Sequence, residues 1–270
     1  MRHAVSNIAW GPAEDDAAPG YLSEHGAEGL EVAPTRAWPD WEGAGPASAA
    51  ALRRRLEASG LACPALQAVL FGRPELQLFG TPEQGRALRE HLVFVAELAA
   101  ELGAGIVVFG SPGNRVRDGL PMDEAWSRAV AFFQEVGADY ERIGARLGFE
   151  ANPPEYGCDF VTRLDEARRL VREVGSPGFV LHGDAGGLIL TGEDASILGE
   201  VAPELGHFHA SDPFLAPLGS SDAHAAFGRA LAEGGYRGWC SVEMRRAGPG
   251  LDHVGAALAT LAACYGDDAA

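Results

Sequence analysis

Lysine is missing from this chain of 270 residues; all 21 of its basic residues are Arg. Without Lys there is no Schiff-base catalysis, no lysine-linked pyridoxal phosphate and no phosphate loop of the GxxxxGK[ST] kind. Cysteine is sparse too. Cys63, Cys158, Cys240 and Cys264 show no CxxC spacing, which argues against a zinc ribbon and reads as free thiols, mostly buried. No apolar run approaches the roughly 18 residues of a membrane span. The opening segment MRHAVSNIAW has no apolar stretch of signal-peptide length, so the expected location is cytoplasmic. Linkers and low-complexity blocks are also lacking. The length suits one α/β barrel domain over residues 1–270, with about 266–270 as a disordered tail.

Positive charge is in deficit, and the formal net charge is −17. Such a surface repels a polyanion, so the expected partner is a small molecule and not nucleic acid or membrane; homo-oligomerisation is left open.

Apolar strand-like runs alternate with amphipathic helical stretches, the pattern of βαβ units around a parallel sheet. Strands are expected from His3, Gly29, Ala62, Gly105, Gly148, Phe179, Gly206 and Trp239. Eight strands close a (β/α)8 TIM barrel. Between them the sequence predicts helices over Ala47–Ser59, Thr81–Leu102, Asp123–Leu147 and Thr162–Val174. Shorter ones are expected from about Glu193, Ser221 and Gly250. Thr81-Pro82-Glu83 is an N-cap, a Pro at the first helical position and an early acid. Thr162 with Asp165 resembles a capping box. Short Pro- or Gly-rich segments follow the strands, as the site-building loops of this fold do.

Four residues at strand ends carry the chemistry: Glu150 in GFEANPP, Asp184 in FVLHGDAGG, His209 in LGHFHASD and Glu243 in WCSVEMR. They are 34, 25 and 34 residues apart, about one helix plus one strand each. The C-terminal ends of barrel strands converge on one face, so these four can share a site. A lone carboxylate between apolar neighbours is costly to bury and calls for a cation. Three carboxylates and an imidazole suit one divalent ion: Mn, Mg or Co, with Zn also accommodated.

Around this centre, Arg115 in SPGNR and Arg245, two residues past Glu243, are candidate holders of a substrate carboxylate or phosphate. His182, His207 and Glu31 are further substrate-site candidates. His207 is also a candidate second-shell donor and Glu31 a partner for an Arg. Trp10, Trp38, Phe71 and Tyr156 are candidate pocket walls, and Asn152 and Asp212 neighbour the ligand positions in sequence.

FEANP with Glu150, LHGDAGG with Asp184, HFHASD with His209 and SVEM with Glu243 resemble the xylose-isomerase-like TIM barrels, over nearly the whole chain. In D-tagatose 3-epimerase-like members, a Glu, Asp, His, Glu set from these strand ends binds one divalent metal. The resemblance therefore implies a metal-dependent sugar isomerase or epimerase of carbohydrate metabolism. Glu150 and Glu243 would be the catalytic acid–base pair, moving a proton through an enediolate. Inosose dehydratase-like lyases and endonuclease IV share the superfamily, so a dehydratase is the alternative. The endonuclease reading is disfavoured by the few His and the negative charge, and a non-catalytic scaffold by the intact set of four. One departure stands out: sugar epimerases of this group carry D-x-x-H after strand six, and here Gly187 occupies the His position. His182 is the candidate replacement.

Overall fold

The computed structural model describes residues 1–266; the tail expected to be disordered falls, from residue 267 on, outside the described residues. Eight strands form one parallel sheet: β1 Arg2–Ser6, β2 Gly29–Glu31, β3 Ala65–Leu66, β4 Ile106–Phe109, β5 Arg146–Glu150, β6 Phe179–Asp184, β7 Leu205–Ala210 and β8 Trp239–Val242. Their order is β2-β1-β8-β7-β6-β5-β4-β3. Parallel bridges Gly29–Ala62 and Val32–Leu66 join the two ends of that series and close the (β/α)8 barrel.

The helices are α1 Ala18–Glu24, α2 Pro34–Ala37, α3 Pro46–Ala58, α4 Pro82–Leu102, α5 Met122–Ile143, α6 Leu164–Val174, α7 Ala185–Thr191, α8 Ser196–Val201, α9 His224–Glu233 and α10 Asp252–Tyr265. Helix α4 starts as the sequence predicts. Thr81 accepts from the Gln84 amide and the Gln84 side chain accepts from the Thr81 amide, a reciprocal cap. Helix α5 ends four residues earlier than expected. Gly144 takes φ +91°, a left-handed stop, and the chain then turns into β5. The start of α6 is also corrected. Glu166, not Asp165, caps it, accepting from the amides of Thr162 and Arg163. Helix α7, directly after Asp184, was not expected from the sequence.

Two layers of packing hold the strand ends in place. Outside the sheet, Phe133 of α5 meets Phe109, Phe149 and Phe179 of β4, β5 and β6, with ring centroids 5.4, 5.3 and 4.6 Å away. Each buried Phe contributes about 1.5–3 kcal/mol, and this cluster anchors the strands that deliver Glu150 and Asp184. Inside the barrel, Ala65, Ile106, Val108 and Val180 form a separate plug. Gly206 makes room for it: a Cβ there would lie 2.6 Å from Val180 Cγ2 and 3.1 Å from Ile106 Cδ1.

Candidate metal centre

Register explains how the four strand-end residues meet. Glu150 pairs across β5–β6 with His182, and Asp184 pairs across β6–β7 with His209. Glu243 follows β8 by one residue, and its amide donates to the Ala210 carbonyl at 3.1 Å. Donor atoms of Asp184, His209 and Glu243 all lie within 4.8 Å of one another, and so do those of Glu150, His182 and His209. His209 belongs to both groups.

A cavity of about 720 Å³ opens above them. Glu150, Asp184 and Glu243 form part of its lining, while His209 is fully buried and enters from beneath. Glu150 has room because β4 is followed by Gly110; a Cβ there would sit 2.7 Å from Glu150 Oε2. Asn152 donates to Glu150 Oε1 at 2.8 Å. Asp184 also caps α7: its Oδ1 accepts from the Gly187 amide at 2.6 Å, and its Oδ2 accepts from Ser211 Oγ at 2.5 Å.

Electrostatics define what this floor lacks. Burial, with Asp184 and Glu243 close by, pushes the Glu150 carboxyl up to about 8. Burial and Glu243 push Asp184 to about 6. Below, Glu31 is fully buried. Burial alone would raise its pKa, but His209 and His207 outweigh that and hold it well below the usual carboxylate range. Glu31 is therefore an acceptor only, and His207 Nε2 and His209 Nε2 donate to it at 2.9 and 2.8 Å. This ring orientation turns the Nδ1 of His209 toward the carboxylates, where a bound cation would take the place of its proton. Nδ1 lies 3.3 Å from Glu243 Oε2 yet has no hydrogen-bond partner. Burial lowers the pKa of His209, but Glu31 and Glu243 more than reverse that and raise it well above 6.5. An orphaned imidazole nitrogen facing three carboxylates, two of them with raised pKa, fits a divalent cation held by Glu150, Asp184, His209 and Glu243. Glu31 would then orient the His ligand from behind.

Glu31 and His207 are shut away from the cavity and bond each other; neither a substrate position nor an Arg partner for Glu31 fits this arrangement. His182 is fully buried, with Nε2 3.9 Å from Glu150 Oε2 and neither ring nitrogen hydrogen-bonded. Burial, with His209 and His207 nearby, keeps its pKa well below 6.5. Arg245 lines the cavity as expected. Arg115 does not. It is fully enclosed, donating from Nε to Cys158 Sγ at 3.3 Å with its guanidinium 4.7 Å from the Phe149 ring centre. Phe71 and Tyr156 line the cavity; Trp10 and Trp38 line a different one near Asp15 and Arg36. Asp212 binds the amides of Gly219 and Ser220 and the His224 ring, which ties down the loop after β7. Ser211 was missed. It lies two residues beyond His209, on the same side of the chain, and the period of two was the available signal.

A closed (β/α)8 barrel with its acidic cluster at the C-terminal strand ends defines the class. Residues 20–264 match the family described as xylose isomerase-like TIM barrel, and the chain belongs to that family. No curated protein matches the sequence. Among solved structures, it is similar to D-psicose 3-epimerase determined in the presence of D-fructose. The TM-score is 0.81 at 16% identity, covering 98% of this chain and 100% of that one. It is also similar to 3-keto-D-glucoside 4-epimerase from E. coli, with TM-score 0.78, 19% identity and coverage of 98% and 100%. A third is the IOLI protein with a bound zinc atom, with TM-score 0.72, 18% identity and coverage of 96% and 95%. At these identities the likeness shows the fold. No described helix is long and apolar enough to cross a membrane.

Proposed function

We propose that this chain is a divalent-metal-dependent isomerase or epimerase acting on a small sugar or sugar-derived hydroxy-carbonyl compound. The observation that carries the reading is the unpartnered Nδ1 of His209 facing Glu150, Asp184 and Glu243 at the cavity floor. A divalent ion bound there would supply Lewis-acid polarisation of a carbonyl. The protein's own part is proton movement. Glu150 and Glu243 reach the cavity from β5 and β8, so their carboxylate oxygens approach a bound substrate from different sides. One removes the proton next to the carbonyl, giving an enediolate, and the other returns a proton to the opposite face. Asn152 fixes the Glu150 carboxylate, and Glu31 fixes the His209 tautomer. The neighbouring epimerases agree with this reading as proteins of the same fold.

The test is solvent exchange. Protein loaded with Mg or Zn is incubated in D2O with a panel of keto-sugars, sugar acids and inososes, and deuterium is followed by NMR. Exchange next to a carbonyl is expected. It should fall by about 10²–10⁴-fold in Glu150→Gln and in Glu243→Gln. Loss of water from the exchanged compound would assign the same residues to a dehydratase. Turnover with no exchange in substrate or product would overturn the proposal.

A further inference from the structure

We infer that the substrate carries a flat apolar substituent, such as an aromatic group on the far side of its sugar, held between Phe71 and Phe214 at the cavity mouth. This rests on the functional reading above and narrows its substrate class.

Three observations converge on it. Phe71, Phe214 and Met122 are the exposed large hydrophobic residues among those described, at 72, 53 and 44%. Phe71 and Phe214 line the same cavity as Glu150, Asp184 and Glu243. Phe71 rises from the loop after β3 and Phe214 from the loop after β7, strands four apart in a barrel of eight and therefore opposite each other. Leaving two Phe rings in water costs hydrophobic free energy that a bound apolar group would recover.

The loops also fix these positions. Phe214 and Leu215 have φ of 59° and 57°, and Ala68 has 53°, a left-handed conformation that costs such residues on the order of 1 kcal/mol each. The Phe214 amide donates to Tyr156 Oη at 3.0 Å, and the two rings meet edge to face with centroids 5.5 Å apart. The strained backbone is thus braced by a contact that keeps Phe214 at the mouth.

Above the carboxylates, several of the polar wall groups are already engaged, and the Arg245 guanidinium is the charged one left without a partner among the described residues. Asn114 donates to the carbonyls of Arg73 and Leu76, Arg73 pairs with Glu75, and Ser211 serves Asp184. Leu70, Pro74, Pro112 and Leu215 supply apolar wall between them. A bare monosaccharide would give up water around its outer hydroxyls for few replacement hydrogen bonds. An apolar ring loses nothing there.

The experiment compares two probes with one reactive half: the methyl and phenyl β-D-glucosides oxidised to the ketone at C3. Affinity for the metal-loaded protein is measured by calorimetry, and deuterium exchange beside the ketone by NMR. The phenyl compound should bind about ten- to hundredfold more tightly. That ratio should fall toward one in Phe71→Ala and Phe214→Ala, whose exposed side chains are not needed for the core, and should survive in Phe214→Tyr. Equal affinity for the two probes, or no binding of either, overturns the inference. Exchange without a phenyl preference would leave the proton chemistry standing and remove the aromatic clamp. A phenyl preference without exchange would keep the clamp and remove the proton chemistry.

Discussion

Replacing Glu150 by Gln should stabilise the metal-free protein, and only well above acid pH. Burial and the nearby carboxylates raise this group from 4.5 to about 8. The folded protein therefore holds the proton more tightly than the unfolded chain does. The associated stability is complete below pH 4.5 and is lost as the pH rises through about 8. At about 1.36 kcal/mol per pH unit, the loss reaches roughly 3 kcal/mol by pH 7 and on the order of 5 kcal/mol at its ceiling. Gln has nearly the same shape and no proton to lose, so the variant keeps its low-pH stability throughout. For a domain of this size about 1 kcal/mol moves Tm by roughly 2–4 °C. The chelator-treated variant should thus melt roughly 6–12 °C above wild type at pH 7, and within about 3 °C of it at pH 5. Scanning calorimetry at the two pH values reads this directly. Adding Mn at about 100 times its Kd should then stabilise wild type by roughly 2.7 kcal/mol and the variant by less. A metal-free variant less stable than wild type at pH 7, or a gap equal at both pH values, would refute the crowding of uncompensated carboxylates argued here.

Metal content should be near one divalent ion per chain after loading, and the Asp184→Ala/His209→Ala double variant should lose it; unchanged content by elemental analysis would sink the ligand assignment. Glu31→Gln leaves all four proposed ligands in place but weakens the bond that orients the His209 ring, so metal affinity should drop by about 10–100-fold in a competition titration. Gly110→Ala should push the Glu150 carboxylate aside, and metal affinity should fall while far-UV circular dichroism stays that of the wild type. Phe133→Ala should cost about 3–5 kcal/mol in denaturant unfolding, because it empties the centre of the aromatic cluster behind β4–β6.

The barrel was legible because its strands are buried on both sides and read as apolar runs punctuated by turns. Legibility ended where pairing is minimal. The expected strand from Ala62 ran through AlaCysProAlaLeuGlnAlaValLeu, but only Ala65–Leu66 forms a strand, with Ala62 held by a single bridge to Gly29. From Gln67 on the segment leaves to line the cavity, with Ala68 in a left-handed conformation that the sequence does not announce. Helix α7 was hidden because Ala185-Gly186-Gly187 contains two poor helix formers. Their small size is what matters there: a Cβ on Gly186 would come within 2.9 Å of Ser211 Oγ. The four acidic and imidazole residues were visible as strand-end positions. Depth was not. The period of two puts Glu31, His207 and Arg115 near the right end of the barrel but cannot say whether a side chain reaches the cavity or lies under its floor.

The Gly at position 187 shows how depth changes a functional argument. By resemblance, its place is where sugar epimerases carry a His close to the substrate. Here a Cβ on Gly187 would be directed at Asp184 Oδ1, 3.3 Å away, and at Pro153 and the Ala151 carbonyl, 3.6 and 3.7 Å away. Gly187 is not part of the large cavity's lining; it borders a small void with His182, Thr162 and Glu193. The candidate replacement named from the sequence, His182, borders that same void, with both nitrogens free of hydrogen bonds. Fully buried and outside the large cavity's lining, it does not take the donor position of a His above the floor. The polar groups that remain in the cavity above the carboxylates are few; Arg73 is paired with Glu75, and Arg245, exposed and without a side-chain partner among the described residues, is the unpaired charge at the rim. A substrate that needed a neutral donor beside its reacting hydroxyl would be poorly served. One whose outer half is apolar, with any anionic group near Arg245, meets every unsatisfied feature of this wall.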